Sequence, residues 1–242
     1  MEPSPHPSLA DSIAGAHGWW REAGVDLAYH DTPRGWLAVE EQQVVAAGPP
    51  PVPARARIGG ERASWPRDLS AFAQWWVETP GLDAGPPRGR IAPRGPAGAP
   101  LMIMVPMPEA EDSNLLLSGP QGRMLANMVR ARGFALDAVY VSAALPRHMA
   151  LPEWSMLADE GLGDVLLHHL ALAAPQRLIV LGRDILPLLG HTPAQGAPAV
   201  SELTIQSVKL RLLSSYAPGR LVDHPRLRAE LWRQWLDWTG TE

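Results

Sequence analysis

The sequence predicts an α/β fold of three layers, with a central, mostly parallel four-stranded sheet between helices. Three observations lead there. From residue 101 onward, short continuous apolar runs recur, as expected of strands buried on both faces. Segments with helical spacing of apolar residues lie between them. The two patterns alternate, which is the mark of crossover connections between parallel strands.

In order along the chain, residues 1–8 are proline-rich and read as an unstructured start. Leu9 to Ala23 spaces Leu9, Ile13, Ala16, Trp20 and Ala23 along one helical face, and Gly24 suits the helix end. Asp31 to Trp36 reads as a turn around Pro33 and Gly35. Ala46 to Pro53 is proline-rich and stiff, so residues 46–64 are read as a linker between an N-terminal Trp-rich segment (1–45) and the main domain (65–242). Leu69 to Val77 is a short helix, and 79–100 a long loop rich in Pro, Gly and Arg. Leu101–Val105, Ala138–Ser142, Arg177–Leu181 and Val208–Ser214 are the four strands. Helices are predicted over Gly122–Arg132, Pro152–Ala173, Asp184–Leu189 and Pro225–Trp238, the last with Leu227, Leu231, Trp235 and Trp238 down one side.

The composition sets bounds on function. Hydrophobic residues make up 46% of the 242 positions, enough for a full core. No apolar run approaches the roughly 18 residues of a membrane span, and Met1 to Leu9 lacks the basic-then-apolar pattern of a secretion signal. Membrane association is therefore not expected, and a cytoplasmic location is. Cysteine is absent, which excludes disulfides, thiolate catalysis and Cys-ligated metal centres. No cofactor or metal is expected. The net charge is −4, and residues 101–242 hold 12 basic against 14 acidic side chains, without the basic excess of a dedicated duplex-DNA binder.

In an open parallel sheet the functional crevice lies beyond the carboxyl ends of the strands. The residues there form a series: Val105-Pro106-Met107-Pro108-Glu109-Ala110-Glu111-Asp112, Ser118-Gly119-Pro120-Gln121-Gly122, Val139-Tyr140-Val141-Ser142-Ala143-Ala144-Leu145-Pro146, Ala174-Pro175-Gln176-Arg177-Leu178-Ile179-Val180-Leu181-Gly182, and Ser215-Tyr216-Ala217-Pro218-Gly219-Arg220-Leu221. With the closing Leu231-Trp232-Arg233-Gln234-Trp235-Leu236, these six segments resemble, in order, those of the uracil-DNA glycosylase superfamily, family-4 type, over roughly residues 65–238.

The resemblance implies a site that flips a uracil out of the duplex and reads it in a tight pocket. The matching positions here have lost that chemistry. Pro106 stands where a polar or acidic group positions water. Leu117 stands where an aromatic ring stacks on the base. Ala143 replaces the Asn that reads the uracil edge, and Ala217 the His that stabilises charge on the uracil oxygen. The family's iron–sulfur cysteines are missing as well. Loss of one transition-state donor costs about 100- to 1000-fold, so the combined loss predicts no excision. Glu109, Glu111, Asp112 and His148 lie near the expected mouth as substitutes, and the plainer reading makes them solvated loop and surface residues.

Other features are weaker. His168 and His169, adjacent on a helix, point about 100° apart and cannot share a metal; the helix surface is their expected place. Ser118 to Gly122 precedes a helix but lacks the Lys of a phosphate loop. Gly219 and Arg220 are candidate DNA-phosphate contacts. Trp19 and Trp20 are candidate anchors for a protein partner, Trp being enriched at interface hot spots; the alternative is that the tryptophans before residue 101 pin the N-terminal segment to the domain. The resemblance thus implies a non-catalytic protein-interaction subunit of DNA replication or repair. It is analogous to the clamp-loader psi subunit, which shares this kind of fold without being a glycosylase. An active DNA glycosylase with a rebuilt pocket is the alternative.

Overall fold

A computed structural model describes residues 8–25, 57–191, 199–205 and 207–240. The chain divides into two units, Met1–Pro53 and Ala54–Glu242. The turn at Asp31–Trp36 and the Pro-rich run at Ala46–Pro53 lie outside the described residues.

In the first unit, α1 spans Leu9–Glu22. Ser8 and Asp11 form a reciprocal capping box, and Gly24 follows the helix at φ 79. Taken by itself, α1 leaves Leu9, Ile13, Trp19 and Trp20 exposed. The Trp19 and Trp20 rings meet edge to face, with centroids 5.0 Å apart.

The second unit is an α/β body around a five-stranded sheet of order β2-β1-β3-β5-β4. Its strands are β1 (Leu101–Val105), β2 (Val139–Ala143), β3 (Arg177–Leu181), β4 (Ala199–Ile205) and β5 (Val208–Ser215). β1, β2, β3 and β5 pair in parallel, while β4 pairs antiparallel with β5. The sheet thus has one strand more than the four predicted. β4 escapes the apolar-run criterion because it is an edge strand whose side chains alternate between partly covered and exposed positions, with Leu203 alone buried. Its hairpin turn also lacks the usual Asn-Gly signal: Ser207 takes φ 73 there.

Side chains of successive strand residues enter two separate cores, one on each face. Met102, Met104, Tyr140, Leu178, Val180 and Leu212 join the first. It is covered by α2 (Leu69–Glu78) through Phe72 and Trp76, and by α5 (Leu162–Ala173) through Val165, Leu166 and Leu170. Leu101, Ile103, Val105, Ile179 and Leu213 join the second. That face is covered by α3 (Pro120–Ala131) through Leu125 and Val129, and by α7 (Pro225–Thr239) through Leu231, Trp235 and Trp238.

The single helix expected over Pro152–Ala173 is two, α4 (Trp154–Asp159) and α5, divided at Gly161. The Asp184–Leu189 helix is replaced by two 3-10 turns, Arg183–Ile185 and Pro187–Leu189. A short helix α6 (Pro218–Asp223) precedes α7.

Residues 57–64, assigned above to the linker, belong to the body. Ile58 and Trp65 are buried, and the Trp65 indole donates to the Gly59 carbonyl at 2.8 Å. The loop 79–100 is anchored on the free edge of β2, where Arg94 and Val141 exchange backbone hydrogen bonds of 2.9 and 2.7 Å. A buried ion cluster holds it. Asp83 pairs with Arg90 at 2.6 Å and with Arg147 at 2.7 Å, and the Asp83 and Arg90 side chains are almost wholly buried.

The histidine pair is not at the surface. His169 is fully buried, stacked on Phe72 at 4.2 Å, with Nε2 2.8 Å from the Tyr140 hydroxyl. His168 is half-buried, its Nε2 2.7 Å from the Pro66 carbonyl. Residue spacing could not reveal this, because α2 covers that flank of α5 and comes from far away in the chain.

Candidate functional site

β1 lies between β2 and β3; the chain runs from β1 to β2 on one side and then crosses to β3 on the other, so the switch point falls between the carboxyl ends of β1 and β3. Pro106 follows β1 there and Gly182 follows β3. Gly182 takes φ 141, and a Cβ on it would stand 2.5 Å from Pro106 Cγ. The proline ring thus fills the space that a side chain at 182 would occupy. β2 closes the other flank of Pro106. Its ladder continues past the strand end, with the Ala144 N–H donating to the Val105 carbonyl at 2.8 Å and Leu145 to the Pro106 carbonyl at 2.9 Å. Ala143, Ala144 and Leu145 are all buried.

Leu117 is buried too, at φ 58, and faces a void of about 50 Å³ shared with Ile103, Leu125, Val139 and Val141. It packs between α3 and the sheet as a core residue. Ala217 is the N-cap residue of α6 and lines a cleft of about 500 Å³ with Trp154, Arg183, Asp184, Pro187, Tyr216 and Arg220. None of Pro106, Leu117 and Ala143 lines that cleft. Of the four positions matched to the glycosylase pocket, Ala217 alone lines this cleft.

The carboxylates after β1 have structural partners. Glu109 is buried and accepts the backbone N–H groups of Gly119, Gln121 and Gly122, each at 3.0 Å, at the start of α3. A Cβ at Gly119 would come within 2.6 Å of the Glu109 Oε2, so only glycine lets the carboxylate approach this closely. Negative charge at a helix start also complements the helix dipole. Asp112 accepts the N–H groups of Glu109, Leu117 and Ser118 and the Ser118 hydroxyl, between 2.7 and 2.9 Å. Partial burial alone would raise its pKa, but these hydrogen bonds hold the carboxyl below its ordinary value. The reading of these two acids as solvated loop residues is corrected: both act as internal caps. Glu111 is exposed. His148 is exposed and donates from Nδ1 to the Pro108 carbonyl at 3.1 Å.

The remaining concavity at the strand ends is the Ala217 cleft. Its Arg220 guanidinium lies 5.0 Å from the centre of the Tyr216 ring, and Trp154 offers a second aromatic face. Gly219 sits beside α3, where a Cβ would lie 3.7 Å from the Gln121 amide nitrogen. Trp154, Arg183 and Tyr216 were not singled out in the sequence. Arg183 and Tyr216 directly follow Gly182 and Ser215 at strand ends, a signal that was available, but Trp154 joins them only through the packing of α4.

Among the described residues, no three His, Asp or Glu side chains converge where they could hold a metal ion. No described helix is long and apolar enough to cross a membrane. No protein-family model matches the chain, and a search of curated proteins finds no similar relative.

Proposed function

We propose that this chain is a non-catalytic protein of uracil-DNA glycosylase type that serves as a protein-interaction subunit in DNA replication or repair, in the manner of the clamp-loader psi subunit. The observation that supports it best is the close approach of Pro106 to Gly182, where the proline ring takes the space that a side chain at 182 would need. A base-excising enzyme needs a pocket there and a polar group aimed into it. Here the space holds a proline ring, and the buried neighbours Ala143 and Leu145 offer no side-chain hydrogen bond. Six sequence segments in the family's order support the ancestry. The rebuilt-pocket alternative loses support from Glu109 and Asp112, whose oxygens are engaged by backbone donors.

The test has two arms. Purified full-length protein in excess is incubated with single- and double-stranded oligonucleotides containing uracil, hypoxanthine or xanthine, and no abasic product is expected. The tagged protein is also recovered from its own cells, and replication or repair proteins are expected with it, in reduced yield for Trp19→Ala with Trp20→Ala. Excision of any of these bases would overturn the non-catalytic reading. Recovery of no such partner would overturn the interaction role.

The Ala217 cleft favours a second reading, DNA binding without chemistry. Arginine beside aromatic faces is the combination that holds single strands. This reading expects affinity for an oligo(dT) strand that falls with salt and drops on Arg220→Ala. Salt-insensitive binding, or none, would remove it.

A further inference from the structure

Away from the strand ends, the α/β body has a groove of about 610 Å³ between α3 and α7. It contains none of the strand-end residues discussed above. One wall is Met124, Asn127, Met128 and Ala131, and the other is Pro225, Arg228, Ala229 and Trp232. Each set has the spacing i, i+3, i+4, i+7 of a single helix face. Two helices that both turn such a stripe toward an open groove leave the seat of a third helix unfilled. Ala131 and Ala229 allow close approach, while Met124, Met128 and Trp232 supply adaptable apolar surface.

The charges around the groove specify its occupant. On α3, Arg123 and Arg130 are exposed and seven residues apart, on the flank turned away from the core. On α7, Arg226 and Arg233 repeat the same spacing on the corresponding flank. α3 carries no acidic residue, and α7 carries only Glu230 and Asp237. The α3 rim is therefore basic, although the whole chain has a net charge of −4, whereas on α7 Glu230 and Asp237 follow Arg226 and Arg233 at i+4 and balance them. Arg228, within the groove, is tied to the Leu221 and Val222 carbonyls and braces α6 against α7.

We propose that this groove docks a short amphipathic helix of a partner protein, with apolar residues at i, i+3/i+4 and i+7 facing inward and acidic residues along the flank that lies beside α3. From Met124 to Ala131 the groove runs about 10 Å, so it grips about two helical turns. The proposal does not depend on the glycosylase resemblance, and its test is separate from the excision assay.

The probe is a fluorescently labelled helical peptide of about 14 residues, with Leu at those four positions and Glu along one flank, beside a counterpart with Lys for every Glu. With the full chain, fluorescence anisotropy is expected to show the Glu peptide binding at least tenfold more tightly than the Lys peptide, and the difference should shrink as salt rises. Ala131→Glu with Ala229→Glu, both at exposed positions, should weaken binding at least tenfold with unchanged thermal unfolding. Arg123→Glu with Arg130→Glu should remove the preference for the Glu peptide. The proposal fails if neither peptide binds, if both bind equally, or if the Ala131/Ala229 variant binds as the parent does. It also fails if sedimentation shows self-association that this variant abolishes, because the occupant is then a second copy.

Discussion

Pro106 and Gly182 stand at the ends of adjacent parallel strands in such close contact that one added carbon at 182 would lie 2.5 Å from the proline ring. Gly182→Ala combines that overlap with a left-handed φ of 141. Overpacking and backbone strain each cost about 1–3 kcal/mol, so a loss of about 2–5 kcal/mol is expected in urea unfolding. Pro106→Ala should recover part of it in the double variant.

The same contact predicts the result of restoring the family's reading groups. Ala143→Asn together with Ala217→His should still produce no excision from single-stranded uracil DNA. The proline ring remains against Gly182, and Ala143 does not line the cleft that Ala217 lines. Appearance of an abasic product in a gel-based cleavage assay would show that a base enters despite Pro106.

Glu109→Gln should destabilise the fold rather than alter any activity. The carboxylate receives three backbone donors at the start of α3. The amide loses the charge, and its NH2 group cannot accept, so the expected cost is about 2–3 kcal/mol by urea denaturation.

Asp83→Ala leaves the buried Arg90 guanidinium without its carboxylate and releases Arg147 as well. Breaking such a pair from one side costs about 3–5 kcal/mol. Arg147→Ala should cost less, because its side chain is partly exposed and the Asp83–Arg90 pair remains. Limited proteolysis should then cut within 79–100 in the Asp83 variant first.

His169 makes stability depend on pH. Burial, with a smaller contribution from His168, pushes its pKa down from 6.5 to about 3. The unfolded chain therefore binds a proton between those values that the folded chain refuses. Stability from this group is complete above about pH 6.5 and declines as pH falls toward 3, by up to about 1.4 kcal/mol per unit. Burial raises the Tyr140 hydroxyl, which stays protonated beside it. Urea midpoints between pH 4 and 7 should show a shallower slope for His169→Gln than for the parent.

The sequence by itself determined the strands that are buried on both faces. Leu101–Val105 and Arg177–Leu181 have the predicted limits because a strand covered on both faces is apolar at nearly every position, Arg177 standing at the partly exposed start of the second. The α3 and α7 helices follow from their own apolar spacing. Tertiary structure decided the rest, through contacts between residues far apart in the chain. β4 is half-exposed, so its pattern carries little burial signal. His169 is internal because α2, some 90 residues earlier, lies on it. Glu109 is a helix cap because it reaches N–H groups 10 to 13 residues ahead. That Pro106, Ala143 and Ala217 lack the groups the glycosylase resemblance would call for could be read from residue identity. That Pro106 packs against Gly182 could not, since it depends on two strands meeting side by side, and their separation in sequence leaves that contact to packing alone.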